Sequence, residues 1–169
     1  MCKISSYVIE KMILYFGNDI KRVNHALKVY GFSKSIGELE NLSKDEMLIL
    51  ELASILHDIG IKESERKYNS SAGNYQEIEG PPIARELLKD TDLAKSQIDR
   101  ICFLIGNHHS YNKIDGIDLQ ILIESDFLVN AYEDNVEKST IEHMKNKYFK
   151  TYTGKKYLEN LYLKKSIKS

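Results

Sequence analysis

Hydrophobic residues in the first third of the chain recur at helical spacing and predict three helices. The first covers residues 4–16, and Asp19 is placed to cap a second helix that starts at residue 20. Ser43 and Glu46 have the spacing of a capping box and predict a third helix that extends to about residue 59, where Gly60 ends it. This third helix is apolar on most sides, so we expect it to be the buried central helix. The apolar positions that define the second helix are Ile20, Val23, Leu27 and Tyr30.

The rest of the chain also shows helical periodicity, with one exception. Residues 64–77 have no clear period and are predicted to form an ordered loop, and Gly80-Pro81-Pro82 is predicted to open the helix that follows it, to about residue 89. Ser96 and Asp118 are predicted to begin two further helices, the second ending near residue 132. Lysine-rich amphipathic helices are expected at residues 138–150 and 154–166. No convincing strand alternation occurs, so the pattern predicts an all-α fold in a single compact helical bundle.

Composition limits the class of protein. The 169 residues fit a single domain, here residues 1–169, and 24 basic against 25 acidic side chains give a net charge of −1. Such a balance lacks the basic excess of a dedicated nucleic-acid binder, and polar residues interrupt the longest apolar run, so we expect neither a nucleic-acid nor a membrane partner. The N-terminus lacks the apolar stretch of a signal peptide, and the cysteines form no CxxC pair. We therefore expect a cytoplasmic protein with reduced cysteines.

Three polar features occupy positions where the helical pattern predicts apolar side chains. They are His25, the adjacent pair His57-Asp58 at the end of the most apolar helix, and Asp126, which interrupts an apolar stripe. A buried carboxylate needs a cation or several hydrogen-bond donors. Two imidazoles and two carboxylates from three helices form a mixed nitrogen and oxygen ligand set, which suits Mn, Fe, Co, Ni or Zn better than Mg.

Each of these features has an ordinary structural explanation when it is taken alone. His25 could be a packing or surface residue, and His-Asp pairs such as His57-Asp58 arise by chance. Asp126 could accept hydrogen bonds from a neighbouring helix N-terminus. The joint occurrence of the features, in the order His, His-Asp, Asp, favours a metal site over these separate explanations.

The four residues and the segments that carry them resemble the HD-domain metal-dependent phosphohydrolases. The resemblance rests on residues 54–60 (Ser-Ile-Leu-His-Asp-Ile-Gly) and 124–130 (Glu-Ser-Asp-Phe-Leu-Val-Asn), and it covers roughly residues 20–133. It implies an all-α fold, one metal ion held by His25, His57, Asp58 and Asp126, and hydrolysis of phosphate esters, often nucleotides. The superfamily also contains members that bind without catalysis and a few that carry out oxidative chemistry at two irons.

Some HD proteins hold a second metal through additional histidines between the His-Asp pair and the last aspartate. His108-His109 matches one part of that pattern, but Gln76 and Glu77 stand where a further histidine would be expected. This departure favours one metal ion over two, and it leaves a carboxylate-assisted second ion open.

Several further residues are candidates for contact with substrate. Arg22, one turn before His25, and Lys62, just after the His-Asp pair, could stabilise charge on the phosphoryl group together with His108. Glu77 is a candidate general base. Each has a plainer alternative as a solvated surface residue or, for His108, as a residue at a helix C-terminus. Cys102 is expected in the core and His143 on the surface, and the lysine-rich tail of residues 136–169 is expected to be a solvated helical face.

These observations together predict a metal-dependent phosphohydrolase with one divalent transition ion (Mn, Fe, Co, Ni or Zn). Its substrate would be a small phosphorylated metabolite, with nucleotides among the candidates, attacked at phosphorus by a metal-activated water. A non-catalytic module that senses a nucleotide or a metal is the main alternative, and a di-iron oxygenase of the same fold is another. The sequence does not define the oligomeric state.

Overall fold

The structure, a computed structural model, describes residues 3–164 and is built from helices. No strand occurs among these residues, so the all-α prediction is confirmed. The helices are α1 (Lys3–Phe16), α2 (Ile20–Leu39), α3 (Lys44–Leu56), α4 (Ile61–Tyr68), α5 (Gly73–Leu88), α6 (Lys95–Ile105), α7 (Ile117–Glu133), α8 (Lys138–Lys147) and α9 (Tyr152–Leu158). A short 3₁₀ turn, Tyr111–Lys113, precedes α7, and a π-helical turn, Glu159–Leu163, follows α9. None of the described helices is both long and apolar enough to cross a membrane.

The predicted caps of α2 and α3 are present. The Asp19 side chain accepts a hydrogen bond from the backbone N–H of Arg22 at 3.3 Å. Ser43 and Glu46 form the reciprocal capping box, in which each side chain accepts from the other residue's backbone N–H. Both helices therefore begin where their polar side chains can satisfy free N–H groups of the first turn.

Helix α3 lies at the centre of the molecule, as its apolar pattern predicts. Every residue from Ile49 to Leu56 is buried, and α3 packs against α1, α2, α6 and α7. Helix α7 is buried from Asp118 to Val129 and contacts both α2 and α3. The elements that carry the four predicted metal ligands are thus neighbours in the core.

The predicted loop at residues 64–77 is wrong, because α4 ends at Tyr68 and α5 already begins at Gly73. Only residues 69–72 connect them, and Pro81 and Pro82 lie inside α5 rather than opening it. The buried face of α5 includes Gln76 and Glu79, so the helix lacks the apolar periodicity that would have revealed it.

Two predicted helix starts also shift by one or two residues. Ala94, rather than Ser96, precedes α6, and the Gln97 side chain accepts from its N–H at 2.9 Å. Asp118 lies in the first turn of α7 instead of capping it, and its carboxylate pairs with Arg100. Ion pairing with a neighbouring helix has replaced the capping role that the sequence indicates.

The lysine-rich tail packs onto α7 through a buried carboxylate. Glu124 accepts hydrogen bonds from the backbone N–H of Lys150 at 2.6 Å and from the N–H and hydroxyl of Thr151. Phe149 and Leu158 are fully buried, so the tail is more than a solvated face. The helix predicted at 154–166 is α9 plus the π-helical turn, and its last two positions lie outside the described residues. Cys102 is buried and His143 is exposed, as expected.

Candidate metal centre

Three elements bring the four predicted ligands to one point in the core. His25 lies on α2, His57 and Asp58 follow directly after α3, and Asp126 lies in the middle of α7. The Nε2 atom of His25 is 3.1 Å from Asp126 Oδ1, 3.2 Å from His57 Nε2 and 3.5 Å from Asp58 Oδ2. The Nε2 atom of His57 is 3.4 Å from Asp58 Oδ2 and 3.6 Å from Asp126 Oδ1.

The second ring nitrogen of each histidine fixes the tautomer. Nδ1 of His57 lies 2.7 Å from the carbonyl oxygen of Ser54, and Nδ1 of His108 lies 2.8 Å from that of Ile105. A carbonyl can only accept, so both Nδ1 atoms carry the proton and both neutral rings present an Nε2 lone pair. Nδ1 of His25 lies 2.8 Å from a carboxylate oxygen of Glu133, which fixes the same tautomer.

With both rings neutral, the centre of this cluster is made of acceptors. The Nε2 atoms of His25 and His57 face each other at 3.2 Å, beside two carboxylates. Burial opposes a charged imidazole at His57, but the carboxylates of Asp58 and Asp126 outweigh it, and the pKa of His57 is raised well above its usual value. Burial likewise opposes the charged form of Asp126, yet the hydrogen bonds of His25 and His57 hold its pKa below its usual value.

This donor set fits a divalent metal ion. The carboxylates stabilise positive charge on the histidines, and a bound cation would supply that charge instead. The cation would also accept the Nε2 lone pairs that face each other when the rings are neutral. Imidazole nitrogen together with carboxylate oxygen is the set typical of first-row transition ions. The geometry does not select among those metals.

His108 joins the cluster as a possible ligand rather than as a phosphate donor. It is buried, and its Nε2 has no hydrogen-bond partner within residues 3–164, although it points toward Asp58 Oδ1 at 3.4 Å. With the proton on Nδ1, the neutral ring has none at Nε2 to donate. Ligand atoms of Asp58, His108 and His109 lie within 4.8 Å of one another, as do those of His57, His108 and Asp126. His108 is thus common to these two groups, and Asp58 also belongs to a third group with His25 and His57.

Arg22 stands beside the cluster, whereas Lys62 does not. Arg22 lines the same cavity as His25 and Asp58, and its guanidinium pairs with Asp19 at 2.9 Å and with Glu65 at 2.5 Å. The Lys62 ammonium instead donates to the Tyr15 carbonyl at 3.1 Å and lies over the Tyr15 ring. The prediction that Lys62 contacts the phosphoryl group therefore lacks a geometric basis.

Glu77 holds the turn that carries His108 and His109. Its carboxylate accepts from the backbone N–H of His109 at 3.0 Å and from the Ser110 hydroxyl at 3.0 Å, and it contacts none of the four predicted ligands. These contacts indicate that Glu77 positions the two histidines. They give no support to the prediction that its carboxylate is a general base.

Glu133 is a functional candidate that the sequence analysis missed. Its carboxylate bridges His25 Nδ1 at 2.8 Å and Lys28 at 2.9 Å, so it orients the imidazole and makes its Nε2 a stronger donor to a metal. Helical spacing could have found it, because Asp126, Asn130 and Glu133 stand four and three residues apart on α7. Asn130 also belongs to this face, and its amide donates to Asp126 Oδ1 at 3.0 Å.

We expect the substitution Glu133→Gln to weaken metal binding by about 10- to 100-fold, the usual effect of altering a residue that orients a metal-bound histidine. Calorimetric titration of the metal-free protein with Zn²⁺ measures this directly. Glu137→Gln, an exposed site just beyond α7, serves as the matched control and should bind Zn²⁺ like the wild type. Equal affinity of Glu133→Gln and wild type would show that His25 needs no such orientation.

An all-α bundle with a histidine and aspartate cluster at its centre defines a metal-binding helical domain. The family model described as the HD domain matches residues 22–158, which cover all four predicted ligands and extend into the tail helices. The chain therefore belongs to the HD-domain superfamily of metal-dependent phosphohydrolases. Searches of curated proteins and of solved structures returned no match.

Proposed function

We propose that this protein is a metal-dependent phosphohydrolase that acts on a small phosphate ester, with nucleotides among the candidates. The observation that carries the proposal is the convergence of His25, His57, Asp58 and Asp126 beside a cavity that Arg22 also lines. The predicted metal ligands, a cavity for the substrate and the positively charged Arg22 side chain are thus adjacent. Phosphoryl transfer to water requires these three features together.

The four predicted ligands would hold one divalent transition ion. When bound, such an ion lowers the pKa of a coordinated water and polarises the phosphoryl group. Glu133 keeps His25 oriented, and Asn130 keeps Asp126 oriented. Arg22 supplies a fixed positive charge for a phosphoryl oxygen, and its planar guanidinium suits that geometry.

We propose one tightly bound ion per chain, with Asp58, His108 and His109 offering at most a weaker second position. Gln76, the residue in place of a further histidine, donates to the Ser71 carbonyl at 2.6 Å, and its oxygen lies 3.4 Å from His109 Nε2. The side chain is therefore engaged with its neighbours, which disfavours a di-iron oxygenase. The non-catalytic alternative is disfavoured because all four ligands are present and assembled.

Release of inorganic phosphate tests this proposal. The metal-free protein is reconstituted separately with Mn²⁺, Co²⁺ or Ni²⁺ and assayed on a panel of phosphate esters that includes p-nitrophenyl phosphate. We expect at least one metal to support turnover that is absent from the chelated protein. Stoichiometric metal binding without hydrolysis of any ester would instead support the sensing module.

Replacing Arg22 with glutamine should leave metal content unchanged and lower kcat/KM by about 10- to 100-fold. The variant loses a charge-assisted hydrogen bond to substrate, and such bonds contribute about 1.5–3 kcal/mol. Lys62→Gln is the control and should behave like the wild type, because Lys62 lies against Tyr15. Unchanged kinetics for Arg22→Gln would mean that Arg22 forms ion pairs with Asp19 and Glu65 but does not bind the substrate.

A further inference from the structure

The cavity beside the metal centre is small. Its volume is about 270 Å³, and its wall includes His25 and Asp58. This volume lies just below the range of about 300–1,000 Å³ typical of sites for drug-sized ligands. The part of a substrate that is bound between these walls is therefore small.

One wall of the cavity is cationic and comes from the first turn of α2. Lys21 and Arg22 both line it. Arg22 is paired with Asp19 and Glu65, whereas Lys21 makes no ion pair with any residue between 3 and 164. A phosphate group on the metal-ligand side of the cavity would therefore meet two cations from α2.

A second wall consists of polar groups that suit hydroxyl donors. Asn130 and Asp134, at the end of α7, line it together with Ser71 from the connection between α4 and α5. The carboxylate of Asp134 is exposed and forms no ion pair within the described part of the chain, so it is free to accept hydrogen bonds. A second phosphate group at this wall would be repelled by Asp134 and by nearby Glu133.

The cavity offers no platform for a nucleobase. Ile61 is its one aliphatic lining residue, and none of the phenylalanine or tyrosine rings within residues 3–164 lines it; the His25 imidazole, which does, is held edge-on by Glu133 and Asp126. Stacking on a phenylalanine or tyrosine ring, which contributes about 1–3 kcal/mol per base where it occurs, is therefore missing at this wall. Size, charge and lining all favour a compact polar group attached to a single phosphate.

We infer that the substrate is the monophosphate of a small polyhydroxylated compound, such as a pentose, whose hydroxyl groups bind Asp134, Asn130 and Ser71. This inference rests on the proposed function and narrows it. In the reaction the oxygen of a water molecule forms a bond to phosphorus, the ester P–O bond breaks, and the leaving oxygen takes up a proton. The products are the free polyol or sugar and inorganic phosphate.

Ribose 5-phosphate and adenosine 5′-monophosphate form a matched pair for the test, because they differ only in the group at the anomeric carbon. Metal-loaded wild-type protein should hydrolyse ribose 5-phosphate with a kcat/KM higher by about 10-fold or more, a difference of about 1.4 kcal/mol. An equal or higher value for the nucleotide would overturn the inference. Turnover of p-nitrophenyl phosphate without turnover of either compound would also overturn it while leaving the proposed function intact. If the protein hydrolyses none of these esters, both the inference and the proposed function are wrong.

Binding gives a second readout that does not depend on turnover. Methylene phosphonate analogues of the two compounds, in which CH₂ replaces the ester oxygen, are titrated into the metal-loaded protein by calorimetry. The ribose analogue should bind more tightly than the adenosine analogue. Asp134→Asn should reduce that affinity by about 10-fold, since a hydrogen bond to a charged acceptor is lost, without reducing the affinity for inorganic phosphate.

Asp92→Asn is the matched control for Asp134→Asn, because Asp92 is also an exposed aspartate but lines a separate groove with Lys3 and Tyr7. It should bind the ribose analogue like the wild type. If Asp134→Asn and Asp92→Asn show the same affinity for the ribose analogue, Asp134 does not recognise the sugar and the inference fails.

Discussion

Replacing Asp126 with alanine is expected to abolish tight metal binding and, with it, phosphohydrolase activity. Asp126 Oδ1 lies 3.1 Å from the Nε2 of His25 and 3.6 Å from that of His57, so this carboxylate contacts both imidazoles. Without it, Asp58 is the one remaining acidic ligand of the predicted set. Since altering a residue that merely orients a ligand costs about 10- to 100-fold in affinity, loss of the ligand itself should cost more than about 100-fold.

Metal analysis after extensive dialysis measures this effect. Asp126→Asn is prepared alongside, because it preserves the side-chain volume and separates loss of the ligand from loss of the fold. Asp99→Ala, at an exposed position on α6, is the control and should retain the wild-type metal content. Wild-type metal content in folded Asp126→Ala would mean that the proposed centre is wrong.

Replacing Gly60 with alanine is expected to lower the free energy of unfolding by about 3 kcal/mol. Gly60 lies between the His57-Asp58 turn and α4, where α4 approaches α5 closely. A Cβ atom there would lie 2.5 Å from the backbone N of Gly80 and 2.6 Å from the carbonyl oxygen of Gln76. Backbone atoms inside a helix cannot move aside singly, so the clash has to separate the two helices.

Urea denaturation measures the change, and Gly31→Ala provides the control. Gly31 is inside α2, and a Cβ atom there meets no other atom within 4 Å. Alanine at this position should raise stability by up to about 1 kcal/mol, because glycine is the poorer helix former. A loss of less than about 0.5 kcal/mol for Gly60→Ala would mean that α4 and α5 adjust easily and that their close packing does not fix the adjacent turn.

The sequence was informative where a polar residue interrupted an otherwise apolar helix. Asp126 stands inside the apolar stripe of α7, and the pair His57-Asp58 directly follows the central helix α3, so the cost of burying these groups pointed to a shared cation. Helices α2 and α3 were predictable because they combine clear periodicity with recognisable caps.

The sequence was uninformative where polar groups satisfy one another across helices. The buried face of α5 contains Gln76 and Glu79, and Glu79 pairs with Lys67 and Tyr68 of α4. Periodicity cannot identify such a face, because its partners are defined by tertiary packing alone. The role of Glu133 beside His25, across 108 positions in sequence, depends on the packing of α2 against α7.

Anomalous diffraction from crystals grown with Zn²⁺ tests the central claim most directly. The account predicts a strong anomalous peak at about 2.0–2.2 Å from Nε2 of His25, Nε2 of His57 and one carboxylate oxygen each of Asp58 and Asp126. A weaker second peak near His108 and His109 would mark the second ligand group. A fully ordered cluster without a peak, or a single strong peak held by other residues, would contradict the assignment of this cluster as the metal centre.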